Sequence, residues 1–208
     1  DDMLDGGYEK GVLTTLYGPS GAGKTNLCLL ALIRMTGTGK KVVYIDTESS
    51  LSVERLKQIT KHYEKVLQNT IFFHPTTFEE QHNAIIGLFK VVNEKVGLVI
   101  VDTISMLYRL KLGQKDNVKR INSALARQIA ILIRIAKQNN LPVIVANQVY
   151  ADFENKDKVK IVGGDILRNG SRCLIEVQAA AHSKRVALLR KHRSLPEKVV
   201  EFFITEKG

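Results

Sequence analysis

Short apolar runs alternating with helical periodicities predict an α/β fold, a mostly parallel twisted sheet flanked by helices. Three observations carry this. The runs Val12 to Tyr17, Val42 to Ile45, Leu98 to Val101 and Val143 to Ala146 are continuous rather than alternating, the pattern of strands buried on both faces. Amphipathic helical stretches separate most of them. A glycine-rich segment of the form G-x-x-x-x-G-K-[ST] joins the first run to the first helical stretch.

Taken in order, Val12 to Tyr17 has strand composition, and Asn26 to Met35, with Leu27, Leu30, Ala31 and Ile33, winds as a helix. Gly37 to Lys40 form a turn before the strand Val42 to Ile45, which ends at Asp46-Thr47-Glu48. Ser52 caps a helix expected to reach Leu67. A short strand at Ile71 to Phe73 is closed by Pro75, and Thr77-Phe78-Glu79-Glu80 is a capping box opening a helix to Glu94. The strand Leu98 to Val101 ends at Asp102. The longest helical pattern runs from Asn117 to Asn139, with Ile121, Leu125, Ile129 and Leu132 on one face and Arg120, Arg127 and Arg134 on the other. Pro142 precedes the strand Val143 to Ala146, which leads to Asn147-Gln148. Ala151 to Lys160 is polar and lysine-rich, and Val162-Gly163-Gly164-Asp165 enters a short helix. Leu174 to Val177, Val186 to Arg190 and Val199 to Ile204 then follow without helices between them, predicting an antiparallel C-terminal extension of the sheet. With no linker, repeat or low-complexity stretch, residues 1 to 208 read as one domain.

The glycine-rich segment is Gly18-Pro19-Ser20-Gly21-Ala22-Gly23-Lys24-Thr25, followed by Asn26. Glycines let successive N–H groups turn inward on an anion, and the positive end of the helix dipole reinforces them. Lys24 supplies a point charge for the β- and γ-phosphates, and the Thr25 hydroxyl suits Mg²⁺, which binds through few protein ligands plus the phosphates themselves. A nucleoside triphosphate, with ATP and Mg²⁺ as the cofactors, is the expected ligand.

Composition narrows the class. The 208 residues are 44% apolar, which excludes a disordered chain, and no apolar run reaches the ~18 residues of a membrane span. The N-terminal residues carry neither a basic nor an apolar leader segment, so the expected location is cytoplasmic. Cys28 and Cys173 lack ligand spacing and read as core residues. Net charge is +10, and it is segmental: residues 109 to 139 hold eight Lys and Arg against Asp116 alone, and residues 160 to 208 hold ten against five acids. Such asymmetry points to a polyanion, nucleic acid before membrane; a solvated basic surface is the alternative.

In an open parallel sheet, ligands sit beyond the carboxyl ends of the strands. Four inferred strands end in residues useful to nucleotide hydrolysis: the phosphate loop, Glu48, Asp102 and Gln148. Asp102 fits the Mg²⁺ site, Glu48 has the chemistry to orient or deprotonate a water for attack on the γ-phosphate, and Gln148 suits sensing of that phosphate.

These elements carry a resemblance. The phosphate loop, Tyr44-Ile45-Asp46-Thr47-Glu48, Leu98-Val99-Ile100-Val101-Asp102, Asn147-Gln148-Val149 and Gly163-Gly164-Asp165-Ile166-Leu167 resemble the RecA/RadA recombinase superfamily in order and spacing. The ending, from Arg190-Lys191-His192-Arg193-Ser194-Leu195-Pro196-Glu197 to Phe203-Ile204-Thr205-Glu206-Lys207-Gly208, is similar to its short archaeal RadB paralogues. The resemblance implies a RecA-like core, with Lys24 and Thr25 at the phosphates and metal, Glu48 as catalytic carboxylate, Asp102 at the metal, Gln148 as sensor and Arg55 against adenine. It also implies two DNA-binding loops, Leu107 to Asn117 and Tyr150 to Val162. Full recombinases of the superfamily carry an N-terminal DNA-binding domain that this chain is expected to lack.

The implied role is an accessory of homologous recombination and DNA repair: a protein that binds ATP and, weakly and without sequence preference, single-stranded DNA. It hydrolyses ATP poorly, is not itself an efficient strand-exchange recombinase, and works with a RadA-type recombinase or other recombination proteins. A homo-oligomer stays open. Charge and loop position together nominate Lys111, Lys115, Arg120, Arg127, Lys156, Lys158, Lys160, Arg190, Lys191, His192 and Arg193 for the DNA backbone. Tyr108 and Tyr150, beside the loops, are candidates for base stacking or for core. Two other readings of the same fold are a binding module gated by nucleotide without turnover, and a signalling ATPase of the circadian-clock type.

Overall fold

The computed structural model describes residues 3–114, 117–151, 159–181 and 183–205, with the backbone alone at 151, 159 and 160. The chain runs through β1 (Leu13–Gly18), α1 (Lys24–Gly37), β2 (Lys41–Asp46), α2 (Val53–Ile59), α3 (Tyr63–Gln68), β3 (Thr70–Phe73), α4 (Phe78–Val91) and β4 (Val96–Asp102). It continues through α5 (Met106–Leu112), α6 (Val118–Asn139), β5 (Val143–Ala151), β6 (Val159–Ile161), α7 (Gly164–Gly170), β7 (Cys173–Ala179), β8 (Lys184–Lys191) and β9 (Val199–Phe203).

Among the described residues, the strands lie in the order β3-β2-β4-β5-β1-β7-β8-β9, with β6 pairing β5 off this path. The six strands from β3 to β7 are mutually parallel; β8 and β9 add antiparallel, as expected of the C-terminal runs. Both faces of the parallel strands are covered, which is why they read as continuous apolar runs. On one face Leu16, Val42, Tyr44, Ile100 and Ile144 pack against Cys28, Leu29 and Leu32 of α1, Leu56 of α2 and Val66 of α3. On the other, Val43, Ile45, Val99, Val101 and Val145 pack against Ile85 and Leu88 of α4, Leu107 of α5, Ile121, Leu125 and Leu132 of α6 and Leu167 of α7.

The helix starts follow their capping signals. Ser52 Oγ accepts from the Arg55 N–H, and Thr77 Oγ1 accepts from the Glu80 N–H while Glu80 reaches back to the Thr76 N–H at 2.7 Å. Asn117 caps α6, and Asn140 ends it in the left-handed region at φ 47°.

Three expectations are corrected. The helix expected from Ser52 to Leu67 is two helices, because Thr60 turns extended at φ −143° and its hydroxyl accepts the His62 N–H, a side-chain bond that competes with helix continuation. The segment from Leu107, expected as loop, begins inside α5, anchored by buried Leu107 and Tyr108. The fifth strand extends to Ala151 and pairs antiparallel with β6, so the flanks of the second expected loop are a ribbon; residues 152–158 lie outside the described residues. Cys28 and Cys173 are unpaired and buried, and burial pushes both thiols up, Cys173 to about 11, as fits inert core residues.

Candidate nucleotide-binding site

The parallel register sets the site. Asp46 ends β2 opposite Asp102 at the end of β4, and Gly18 ends β1 opposite Gln148 on β5. All four predicted strand ends therefore meet at one edge. The cleft there has a volume of about 380 Å³ and is lined by Ser20, Lys24, Thr25, Glu48, Arg55 and Gln148.

Two glycines shape the loop. A Cβ at Gly18 would run into the Val177 carbonyl of β7, so the loop leaves the sheet only with glycine there. Gly23, at φ 105°, takes a left-handed turn immediately before α1, and that turn aims the first N–H groups of the helix into the cleft. Lys24 is 6% exposed, and its Nζ donates to the carbonyls of Gly18 at 2.9 Å and Pro19 at 2.8 Å. Burial lowers its pKa; the nearby Asp102 and Glu48 carboxylates oppose that shift.

Asp102 is fully buried. Its Oδ2 accepts from the Tyr44 hydroxyl at 2.8 Å and from Ser50 Oγ at 3.4 Å, and the Thr25 hydroxyl is near enough to the same carboxyl group to lower its pKa. Oδ1 has no partner among the described residues. Burial raises the Asp102 pKa, while the Tyr44 and Thr25 hydroxyls pull it down. An orphaned buried carboxylate oxygen beside the Thr25 hydroxyl suits a hydrated divalent cation carried on phosphates. Among the described residues no cluster of three or more His, Cys, Asp or Glu could hold a metal by itself, so phosphates and water must complete the shell. The site fits Mg²⁺ with a nucleotide.

Glu48 Oε1 accepts twice, from Thr103 Oγ1 at 2.8 Å and from Gln148 Nε2 at 2.7 Å. The loop that carries it is held by Asp46, whose carboxylate accepts the N–H groups of Glu48, Ser50 and Leu51. Gln148 is fixed at its backbone by Ser105 Oγ at 3.1 Å and at its amide oxygen by Arg109 Nη1 at 2.6 Å. Also in the lining, Arg55 donates to Asn26 Oδ1, Gln58 Oε1 and the Thr205 carbonyl. That holds its planar cation beside the loop, where the Ile204 side chain lies over Gly23. Sequence reasoning missed Tyr44, Asp46, Ser105 and Arg109. Tyr44 and Asp46 flank Ile45 inside the quoted motif, and Arg109 was counted only as charge.

The nominated DNA-contacting residues scatter. Arg120 and Arg127 are exposed on α6, which at 22 residues spans ~33 Å from the carboxyl edge back to the amino edge of the sheet. Arg134, further along that line, stacks on Phe89 at 5.3 Å. Lys111 pairs with Glu79 at 3.1 Å. Lys115, Lys156 and Lys158 lie outside the described residues, and Lys160 is described in its backbone alone. Arg190 pairs with buried Glu176 at 2.8 Å, and Lys191 donates to the carbonyls of Arg168 and Ser171 at the end of α7. His192 Nδ1 accepts from the Leu195 N–H at 3.1 Å, and Arg193 pairs with Glu9. Lys191 sits opposite Leu174 at the start of β7, so this cluster lies toward the amino edge, away from the nucleotide cleft. Tyr108 is core, its hydroxyl bonded to Asn122 at 2.7 Å, whereas Tyr150 is 42% exposed beneath Arg109.

The fold is shared with known proteins. A solved structure titled "Crystal structure of the RadB recombinase" superposes with a TM-score of 0.84 at 37% identity, covering 100% of this chain and 94% of that one. The "DNA repair and recombination protein RadB" of Methanococcoides burtonii is 39% identical over 210 residues, all of this chain and 92% of the relative. The protein of the same name from Methanocaldococcus jannaschii is 39% identical over 209 residues, all of this chain and 96% of the relative. The Rad51 family model matches residues 1–208. With the RecA-like sheet order, the phosphate loop and the strand-end carboxylates in place over that whole length, the chain belongs to the Rad51 family.

Proposed function

We propose that this chain is an ATP- and DNA-binding accessory of homologous recombination and DNA repair, a slow Mg²⁺-dependent ATPase rather than an efficient strand-exchange enzyme. The observation that supports it most is the convergence of Lys24, Thr25, Asp102, Glu48 and Gln148 at one sheet edge in a chain whose relatives are named for recombination and repair. The loop N–H groups and Lys24 bind the β- and γ-phosphates, and Arg55 lies against the base. Thr25 and the orphaned Asp102 oxygen hold Mg²⁺, which when bound neutralises phosphate charge. Glu48 Oε2, which makes no hydrogen bond among the described residues, is the atom left to take a proton from water.

The second ligand is single-stranded DNA, held weakly through its phosphates. Arg120, Arg127, Lys115, Lys156, Lys158 and Lys160 are the proposed contacts, since Lys111 and the Arg190 to Arg193 cluster are engaged within the chain. A RadA-type recombinase is the proposed protein partner. No helix among the described residues is long and apolar enough to cross a membrane, and the proposed location is cytoplasmic.

Fluorescence anisotropy of labelled single-stranded DNA across a salt series tests the DNA contact. Log affinity is expected to fall with log salt by about 0.7 per phosphate neutralised, and Arg127→Ala should shallow the slope by about that amount. A slope unchanged in an Arg120→Ala/Arg127→Ala double variant removes α6 from the interface. No binding at ~50 mM salt removes DNA from the reading.

A further inference from the structure

We propose that Arg109 is a positioning residue for the hydrolytic end of the site: it fixes the Gln148 amide, and through it Glu48. The inference rests on the nucleotide reading above. Gln148 presents an acceptor at one end of its amide and donors at the other. Arg109 only donates, and its Nη1 takes Oε1 at 2.6 Å; Glu48 as a carboxylate only accepts, and takes Nε2 at 2.7 Å. The two ionic groups thus clamp the amide in one orientation, and neither would tolerate the flipped one.

The clamp has a firm base. Arg109 lies on α5, where Leu107 and Tyr108 are buried and the Arg109 N–H bonds the Ser105 carbonyl at 3.0 Å. The Ser105 hydroxyl in turn accepts the Gln148 N–H, so one buried serine sets the spacing between guanidinium and amide. On its other side the guanidinium lies over the Tyr150 ring, 5.2 Å from the centroid. The orientation of Gln148 is therefore tied to the surface where β5 leaves the sheet. A group that draws Arg109 off its partner there also loosens Glu48.

Two readouts test this. The first is ATP turnover and nucleotide affinity of Arg109→Ala, Gln148→Ala and the double variant. Arg109→Ala is expected to lower kcat about tenfold while nucleotide Kd moves less than about threefold. The double variant should fall no more than about twofold below either single one, because both act through one contact. Arg109→Lys should recover part of the loss, since it can donate to Oε1 without the planar stack. A wild-type kcat in Arg109→Ala, or losses that multiply, overturns the proposal. If Glu48→Gln also hydrolyses at the wild-type rate, the hydrolytic reading itself has failed instead.

The second readout is independent of turnover. The chain has no tryptophan, so Tyr150→Trp places a sole indole under Arg109. Its emission should differ between ADP and a non-hydrolysable ATP analogue, and the difference should vanish when Arg109→Ala is added. An equal difference in both backgrounds, or none with Arg109 present while both nucleotides bind, overturns the proposal.

Discussion

Lys24→Ala is expected to weaken Mg·ATP binding by about 100-fold, or about 3 kcal/mol, the worth of one or two hydrogen bonds to charged groups. The side chain is almost wholly buried, and its ammonium sits against the Gly18 and Pro19 carbonyls at the mouth of the loop. Among the described residues that line the cleft the other cation, Arg55, is held by Asn26, Gln58 and Thr205. Lys24→Arg should not rescue binding, because a planar fork cannot occupy a slot shaped by two loop carbonyls. Titration calorimetry with a non-hydrolysable ATP analogue reads the loss, and an unchanged melting temperature shows that the fold survives. Affinity within about threefold of wild type would remove Lys24 from the phosphate site.

Glu48→Gln should separate chemistry from binding. The amide oxygen can still accept from Thr103 Oγ1 and Gln148 Nε2, so the loop held by Asp46 keeps its shape. What is lost is the proton acceptor. Single-turnover hydrolysis should fall about 100-fold or more, the usual share of a general base, while nucleotide affinity stays within about threefold. Equal rates in the two proteins would favour nucleotide as a conformational ligand with no turnover of its own.

The parallel sheet, its antiparallel extension and the phosphate loop were legible because their signals are local. Continuous apolar runs mark strands covered on both faces, and the Thr77 capping box marks a helix start within four residues. Glu48, Asp102 and Gln148 were found because strand ends meet ligands in this class of sheet. The residues that orient them were missed because their partners are distant in sequence. Tyr44 packs as the apolar run predicts, yet no periodicity shows that its hydroxyl ends on Asp102, 58 residues away. Arg109 was one charge among eight, and its partner Gln148 lies 39 residues on. Charge counting also joined Arg190 to Arg193 into one patch, although Glu176 and Glu9 engage two of the four. The α2/α3 break turns on the single hydroxyl of Thr60, a competition that apolar spacing does not register.

In the proposed function one chain binds both nucleotide and single-stranded DNA, and a change of DNA affinity with nucleotide state tests that pairing. The direct measurement is anisotropy of labelled single-stranded DNA at ~50 mM salt, with no nucleotide, with Mg·ADP and with Mg and a non-hydrolysable ATP analogue. Binding is expected in at least one state, with affinities that differ by about fivefold or more between ADP and the analogue, a coupling of about 1 kcal/mol. Equal affinity in all three states, or no binding in any, would contradict it.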